Sequence, residues 1–216
     1  KKVTFVDGFD RVLPENFSPV ISNRLAQSLQ EHGVKLALNQ MVTSFEDLPD
    51  GGIRVNTDKG SYEADIAVLG IGFLPNTQLF AGQIDMLDNG AIITNKYMET
   101  SMPDVYAAGD ATTVYYNPTH EYDYLPLATN AIRQGMLVGK NIDGHHLPYS
   151  GTQGTSAVEL YGFAMSATGL NKATAEQHGL EVEETIYEEN YRPEFMLSTT
   201  PVLSTLTWEK ETRRIV

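Results

Sequence analysis

Two carboxylates directly follow short apolar runs, which makes them the residues best placed to bind a hydroxyl-rich ligand. Asp7 comes after the run 3–6, and Asp110 comes after the run 105–108 and one glycine, Gly109. Open α/β sheets bind nucleotides at the carboxyl ends of their strands, where a carboxylate accepts hydrogen bonds from sugar hydroxyls. Without other support, an acid in such a position more often only caps a turn. Nucleotide binding is therefore one hypothesis for each acid, and turn formation is the other.

A Gly-Ile-Gly sequence at 70–72 ends an apolar run that starts at Ile66. Glycine leaves the backbone bare, so Gly70 and Gly72 would allow a cofactor to approach the end of a parallel strand closely. The sequence is not the phosphate-binding GxGxxG pattern, because Pro75 occupies the third position and no helix follows at once. The alternative is that both glycines belong to the turn before Pro75.

The composition excludes several other kinds of chemistry. The chain has 216 residues and no cysteine, which rules out disulfides, thiolate metal sites, iron–sulfur clusters and thiol nucleophiles within it. Its five histidines show no metal-ligand spacing, so no metal site is predicted. A formal net charge of −13 disfavours nucleic acid and anionic membrane surfaces as partners. No apolar run approaches the roughly 18 residues of a membrane span, and no signal peptide is recognisable, so a cytoplasmic location is expected.

The first part of the chain has the periodicity of a strand, a helix and a small meander. A strand is predicted at Val3–Val6, and an amphipathic helix follows from Ser18, with apolar residues every four positions until Gly33 stops it. Short strands are predicted at 34–38, 41–45 and 53–55.

The continuously apolar run 66–72 predicts a central parallel strand that is covered on both faces. Two further buried strands are predicted at 91–93 and 105–108, followed by a polar, aromatic loop over 115–124 and a helix over 127–141. After a small-residue stretch at 150–156, the predicted elements are strands at 158–161, 181–187, 202–208 and 213–216 and a short helix at 171–178.

The sequence Thr100-Ser101-Met102-Pro103-Asp104-Val105-Tyr106-Ala107-Ala108-Gly109-Asp110 resembles the second FAD-binding motif of the flavoprotein disulfide reductase superfamily. The resemblance implies that Asp110 binds FAD through its ribityl hydroxyls. It also implies that a helix begins beside the flavin pyrimidine ring, with Pro126, Leu127, Ala128 and Thr129 near the flavin. Negative charge on a reduced flavin suits the positive end of a helix.

The same resemblance implies a nicotinamide nucleotide site. Asp7 corresponds to the acid that holds the adenosine ribose of NADH, and Gly70 and Gly72 lie in the segment that contacts the nucleotide through its backbone. Pro126 lies near the nicotinamide. A carboxylate at Asp7 disfavours the additional phosphate of NADPH by charge repulsion, although the nearby Arg11 could soften this effect.

Within the superfamily, the chain is most similar to the NADH oxidase and NADH peroxidase branch. The stretches that carry this similarity are 88–94, 116–119, 127–135 and 191–199. The implied function is FAD-dependent oxidation of NADH with reduction of dioxygen to water. The alternatives are an NADH peroxidase, which reduces hydrogen peroxide, then a coenzyme A disulfide reductase, and, outside enzymes, a dinucleotide-binding or assembly fragment.

The resemblance also implies a fold and a domain division. The expected class is α/β, a partial flavoprotein with two Rossmann-like dinucleotide-binding domains and part of an α+β dimerisation domain. Residues 1–72 would belong to the NAD-binding domain, 73–149 to the FAD-binding domain and 150–216 to the dimerisation domain of a homodimer. The redox cysteine and its neighbouring histidine belong to an upstream segment in this family, so the chain is expected to be a fragment that is inactive alone.

Overall fold

The computed structural model describes residues 1–49 and 51–216, which form two compact units. One unit contains residues 1–70 together with 156–216, and the other contains residues 71–155. The elements are β1 (Val3–Val6), α1 (Pro19–Glu31), β2 (Val34–Ala37), β3 (Val42–Asp47), β4 (Ile53–Thr57), β5 (Gly60–Ala64), a 3-10 turn (Gln78–Phe80), β6 (Val114–Tyr116), β7 (Glu121–Asp123), α2 (Ala128–Ile142), β8 (Ser156–Leu160), β9 (Phe163–Ala167), α3 (Lys172–Gln177), β10 (Val182–Asn190) and β11 (Pro201–Glu209).

The first unit is built around a β1–α1–β2 crossover. β1 and β2 are parallel and pair from Val3 with Val34 to Val6 with Ala37. Pro19 occupies the first turn of α1, and the chain leaves the helix through Gly33, whose φ is +83°. Parallel strands joined by a helix are the unit from which nucleotide-binding sheets are made, so the predicted strand, helix and second strand are confirmed.

A small apolar core fixes α1 against this strand pair. Leu25 is 1% exposed and packs with the buried side chains of Leu29, Val34 and Val12. Two residues of β9, Phe163 and Met165, complete the cluster from a distant part of the sequence. The segment that follows β1 is therefore anchored in the core through Val12.

An antiparallel meander and two hairpins make up the rest of this unit. β3, β4 and β5 pair in order, β8 pairs with β9, and β10 pairs with β11 over their full length. The predicted strands at 158–161, 181–187 and 202–208 and the helix at 171–178 are confirmed within a few residues. β5 was missed because its sequence, Gly-Ser-Tyr-Glu-Ala, has no apolar alternation. The strand predicted at 213–216 is reduced to one bridge between Trp208 and Ile215.

The prediction of a buried central strand at 66–72 is wrong for this chain. These residues form no strand, and Val68 and Ile71 are 91% and 85% exposed. An apolar strand becomes buried only when neighbouring strands pair with it and helices cover its faces. Among residues 1–49 and 51–216, no strand pairs with this segment.

The second unit has little regular sheet. The predicted strands at 91–93 and 105–108 are present only as isolated bridges, in which Ile92 pairs with Thr112 and Tyr106 pairs with Glu99. Within the segment predicted as a polar loop, β6 and β7 instead form a short hairpin. The predicted helix is confirmed as α2. No helix of the described part of the chain is long and apolar enough to span a membrane.

Helix α2 buries a polar face rather than its apolar one. The apolar side chains of Ile132 and Met136 lie four residues apart on one face of the helix, yet they are 64% and 62% exposed. The buried side chains are instead the amides of Asn130, Gln134 and Asn141. Their spacing of four and seven residues places them on one face of the helix.

The phenol of Tyr116 makes the stability of the second unit fall as the pH becomes alkaline. Tyr116 is 4% exposed, and burial, reinforced by the charge of Asp123, raises its pKa to about 12. The folded state favours the neutral phenol, so this contribution is complete below the ordinary tyrosine value near 10 and is lost as the pH rises toward 12. A shift of this size corresponds to about 3 kcal/mol.

We therefore expect Tyr116→Phe to reduce the loss of unfolding free energy at alkaline pH, by about 3 kcal/mol between the two limits. Urea unfolding followed by circular dichroism across this range measures the slope. Tyr187→Phe, which changes a phenol that is 49% exposed, is the matched control and should leave the slope unchanged. Equal slopes for both variants would contradict the assignment.

Candidate functional site

Asp110 stands at a turn that one buried side chain organises. Gly109 has a φ of +85°, a conformation that favours glycine, and its N–H donates to Oε1 of Gln134 at 2.9 Å. Nε2 of the same amide donates to the carbonyl of Thr113 at 3.2 Å. Gln134 is 1% exposed, so its amide must form its hydrogen bonds within the protein, and these two bonds do so. The turn before Asp110 is thereby fixed to α2.

The carboxylate of Asp110 faces outward from this turn. Its residue is exposed, and no side-chain hydrogen bond engages it among the described residues. The hydroxyl of Tyr124 donates to the backbone carbonyl of Asp110 at 3.0 Å. Burial raises the pKa of Tyr124, and the nearby charge of Asp110 acts in the same direction. The carboxylate thus keeps its full capacity to accept hydrogen bonds from a ligand.

The N-terminus of α2 is open as well. Leu127 precedes the helix in an extended conformation, no side chain caps the first turn, and that turn contains no acidic residue. Ala128 and Thr129 are exposed. The first N–H groups of a helix lack intrahelical partners and carry partial positive charge, so this end suits a negatively charged group.

Asn130 holds the segment that leads into the helix. Its Nδ2 donates to the carbonyl of Leu125 at 3.1 Å, and its Oδ1 accepts from the hydroxyl of Tyr149 at 3.3 Å. Asn130 is 3% exposed. Pro126 and Leu127, both half-buried, therefore follow a carbonyl that is fixed to the helix they precede.

The Gly-Asp turn and the start of α2 fit a flavin nucleotide by the chemistry of their donors and acceptors. An exposed carboxylate at Asp110 matches ribityl hydroxyls, and the uncapped N–H groups at Ala128 and Thr129 match the negative charge of a reduced flavin ring. A ligand with both hydroxyls and an anionic ring needs a hydrogen-bond acceptor for the hydroxyls and donors for the ring, and the second unit offers both kinds of group.

Asp7 lies at the carboxyl end of the parallel pair. Its N–H donates to the carbonyl of Ala37 at 3.1 Å, and its own carbonyl accepts from the N–H of Gln40 at 2.9 Å. Oδ1 accepts from the N–H of Phe9 at 3.0 Å. The side chain is half-buried, and its second oxygen has no hydrogen bond among the described residues, which suits a ribose hydroxyl.

The two glycines differ in what their backbone requires. Gly72 has a φ of +80°, whereas Gly70 lies outside the left-handed region. A Cβ at either position would meet nothing within 4 Å among the described residues. Conformation therefore explains glycine at Gly72, and the structure gives no steric reason for glycine at Gly70.

The sequence prediction missed the residues that position Asp110. Gln134, Asn130 and Tyr124 were not singled out, because a glutamine or asparagine in a helix has no motif of its own. The signal was present in the repetition of amides at 130, 134 and 141 on one face of an otherwise apolar helix. No group of three or more histidine, aspartate or glutamate side chains in the described residues could hold a metal.

A parallel strand pair that ends in an acid and a Gly-Asp turn beside a helix N-terminus are both typical of dinucleotide-binding folds. The family model described as pyridine nucleotide-disulphide oxidoreductase matches residues 1–135, and the chain belongs to this family.

Named relatives agree with the family match. An NADH oxidase of Enterococcus faecalis is 48% identical over the whole chain, which covers 49% of that protein. The structure of a water-forming NADH oxidase from Lactobacillus brevis bound to NADH matches the whole chain and 48% of its own, with 50% identity and a TM-score of 0.96. An engineered NADPH-bound variant of the latter matches with 49% identity and a TM-score of 0.96 over the same share. The chain thus spans about half the length of these relatives.

We expect Gln134→Leu to destabilise the second unit, because the N–H of Gly109 and the carbonyl of Thr113 would both lose their partner. Each buried group without a partner costs about 1–3 kcal/mol, so the expected loss for the two groups is about 2–6 kcal/mol. Chemical unfolding measures it. Gln153→Leu makes the same change at an exposed side chain and should stay within about 0.5 kcal/mol of the unaltered protein. Similar values for both variants would show that the amide does not hold the turn.

Proposed function

We propose that the chain forms part of a flavoprotein oxidase that oxidises NADH, with FAD as cofactor and dioxygen as the acceptor that is reduced to water. The observation that carries this proposal is the match of the whole chain, at 50% identity, to a water-forming NADH oxidase bound to NADH. The open carboxylate of Asp110 and the uncapped start of α2 support it, since both suit a flavin nucleotide.

In this proposal, the second unit provides the flavin half-site. Asp110 accepts hydrogen bonds from the ribityl hydroxyls, while Ala128 and Thr129 direct backbone N–H groups toward the pyrimidine ring of the flavin. Pro126 and Leu127 line the same region. The chemistry supplied by a bound flavin is acceptance of a hydride from NADH and transfer of the electrons to dioxygen. By stabilising negative charge, the helix N-terminus favours the reduced form.

The proposed contacts to the nicotinamide nucleotide are Asp7, Gly70, Gly72 and Pro126. Asp7 accepts hydrogen bonds from the adenosine ribose, and Gly70 and Gly72 offer bare backbone to the nucleotide. Pro126 would lie near the nicotinamide as well as the flavin. A carboxylate at this ribose repels the phosphate that distinguishes NADPH from NADH.

The engineered relative supports the role of Asp7. The five substitutions named for that NADPH oxidase include an aspartate changed to alanine and a proline, seven residues further on, changed to arginine. This chain has the same two residue types at the same spacing in Asp7 and Pro14. Removal of the acid and addition of a cation are the changes expected when a site must accept an additional phosphate.

The proposed arrangement of the whole protein follows the family resemblance. Residues 1–72 contribute to the NAD-binding domain, 73–149 to the FAD-binding domain and 150–216 to the dimerisation domain of a cytoplasmic homodimer. The limits of the compact units, after Gly70 and Thr155, support boundaries near these positions. This chain contains no cysteine, so a redox cysteine would have to come from another part of the protein.

The ratio of substrates consumed tests the reaction. Reduction of one dioxygen to two waters takes four electrons, and each NADH supplies two, so the purified full gene product should consume two NADH per dioxygen without accumulating peroxide. An oxygen electrode and NADH absorbance measure both. Consumption of one NADH per hydrogen peroxide, with no uptake of dioxygen, would identify a peroxidase instead, and absence of NADH oxidation would contradict both enzymes.

Asp7→Ala tests the nucleotide specificity. We expect the ratio of kcat/KM for NADH to that for NADPH to fall at least tenfold, because the variant loses the ribose hydrogen bond and the repulsion of the phosphate, and tenfold corresponds to about 1.4 kcal/mol. Asp10→Ala removes an exposed acid three residues away and should leave the ratio near that of the unaltered enzyme. Equal effects of the two changes would show that only net charge matters.

A further inference from the structure

The segment that follows Asp7 is held by the backbone of the first unit at its start. We call residues 7–15 the specificity loop. The carbonyl of Phe9 accepts from the N–H of Asn39 at 2.8 Å, and the carbonyl of Asp7 accepts from the N–H of Gln40. These bonds join the first turn of the loop to the residues after β2.

The far end of the specificity loop is held by side chains instead. The carbonyl of Pro14 accepts from Nη2 of Arg11 at 2.9 Å and from Nδ2 of Asn171 at 3.1 Å. The next carbonyl, that of Glu15, accepts from the same Nδ2 at 3.0 Å. Asn171 is 7% exposed and lies more than 150 residues further along the sequence. One buried amide therefore fixes two successive carbonyls of the loop.

Asn171 also caps α3, but this second role uses only the oxygen of its amide. It is the N-cap of α3, and its Oδ1 accepts from the N–H of Thr174 at 3.1 Å. Aspartate and serine serve as N-caps equally well, since capping needs only an acceptor. The two bonds to the loop need a donor atom separate from the capping oxygen. Of these three residue types, only asparagine carries one. The loop, rather than the helix, accounts for the amide.

Arg11 completes the clamp from within the loop. Its Nη2 is bonded to Pro14, and its Nη1 is buried without a hydrogen-bond partner, as is Oε1 of Glu184 on β10. Burial raises the pKa of Glu184, and the charges of Lys172 and Arg11 act in the opposite direction. The guanidinium of Arg11 therefore donates to the carbonyl of Pro14 and interacts electrostatically with Glu184 on β10. It is not an exposed cation available to a phosphate.

We propose that Asn171 is a positioning residue for nucleotide specificity: by holding the carbonyls of Pro14 and Glu15, it fixes the loop that presents Asp7 and keeps Arg11 turned inward. This inference rests on the proposed role of Asp7 in binding the adenosine ribose. It assigns to a residue far along the sequence, next to the short helix α3, a part in the choice between NADH and NADPH.

Asn171→Asp in the full-length holoenzyme separates the two roles of this side chain. The variant keeps an acceptor for the N–H of Thr174, but it loses both donors and places a carboxylate against two carbonyls. We expect the Kd for NADH to rise about tenfold and the NADH to NADPH ratio of kcat/KM to fall by a similar factor, while kcat for NADH and flavin content stay unchanged. Backbone amides of the specificity loop should exchange hydrogen faster. Asn23→Asp, the same change on an exposed face of α1, should alter none of these quantities.

Asn171→Ser keeps the test decisive if the carboxylate prevents folding, since serine caps the helix and introduces no charge. A variant with normal loop exchange and an unchanged nucleotide ratio overturns the proposal. So does a fall in thermal stability alone, because a purely structural role would not move the ratio. If Asp7→Ala changes the ratio and neither Asn171 variant does, the positioning role fails while the proposed function stands. If the unaltered protein does not oxidise NADH, the proposed function fails, and loop exchange still decides whether Asn171 holds the loop.

Discussion

The buried amide of Gln134 is the interaction on which the geometry of the proposed flavin half-site depends. A primary amide taken out of water is costly unless its donor and acceptor atoms are both paired. Here the pairing partners are backbone groups on either side of Asp110, the N–H of Gly109 and the carbonyl of Thr113. The turn that presents the carboxylate is consequently fixed to the helix that presents its free N–H groups. Asn130 extends this arrangement to the residues that precede the helix.

The first unit solves the corresponding problem with different means. Asp7 is placed by a parallel strand pair, whose hydrogen bonds run from residue to residue with little freedom in register. The loop after it has no such ladder and depends on the core contact of Val12 and on the side chains of Arg11 and Asn171. A strand end and a side-chain clamp thus share the task of presenting one carboxylate.

The elements that the sequence predicted well are those whose signal is local. Helix α1 has its apolar residues at fourfold spacing with a proline at its start and a glycine after its end, and α2 is similarly periodic. Asp110 was singled out because an apolar run followed by Gly-Asp is itself a local pattern, and its role in FAD binding stays a prediction. β1 and β2 were predicted for the same reason.

The predictions that failed depend on partners outside the local sequence. The run 66–72 has the composition of a central strand, but a strand needs neighbours, and none of the described residues pairs with it. Helix α2 also leaves its apolar side chains Ile132 and Met136 exposed, and its buried face is made of amides. Apolar surface left in water costs about 25 cal/mol per Å².

Two similar acids at the ends of two apolar runs, Asp110 and Asp7, are proposed to bind different cofactors. The most direct test is the FAD content per chain of the purified full gene product carrying Asp110→Ala or Asp7→Ala. We expect Asp110→Ala to lose most of its flavin, while Asp7→Ala retains as much as the unaltered protein. Equal flavin content in both variants, or loss confined to Asp7→Ala, would contradict this assignment.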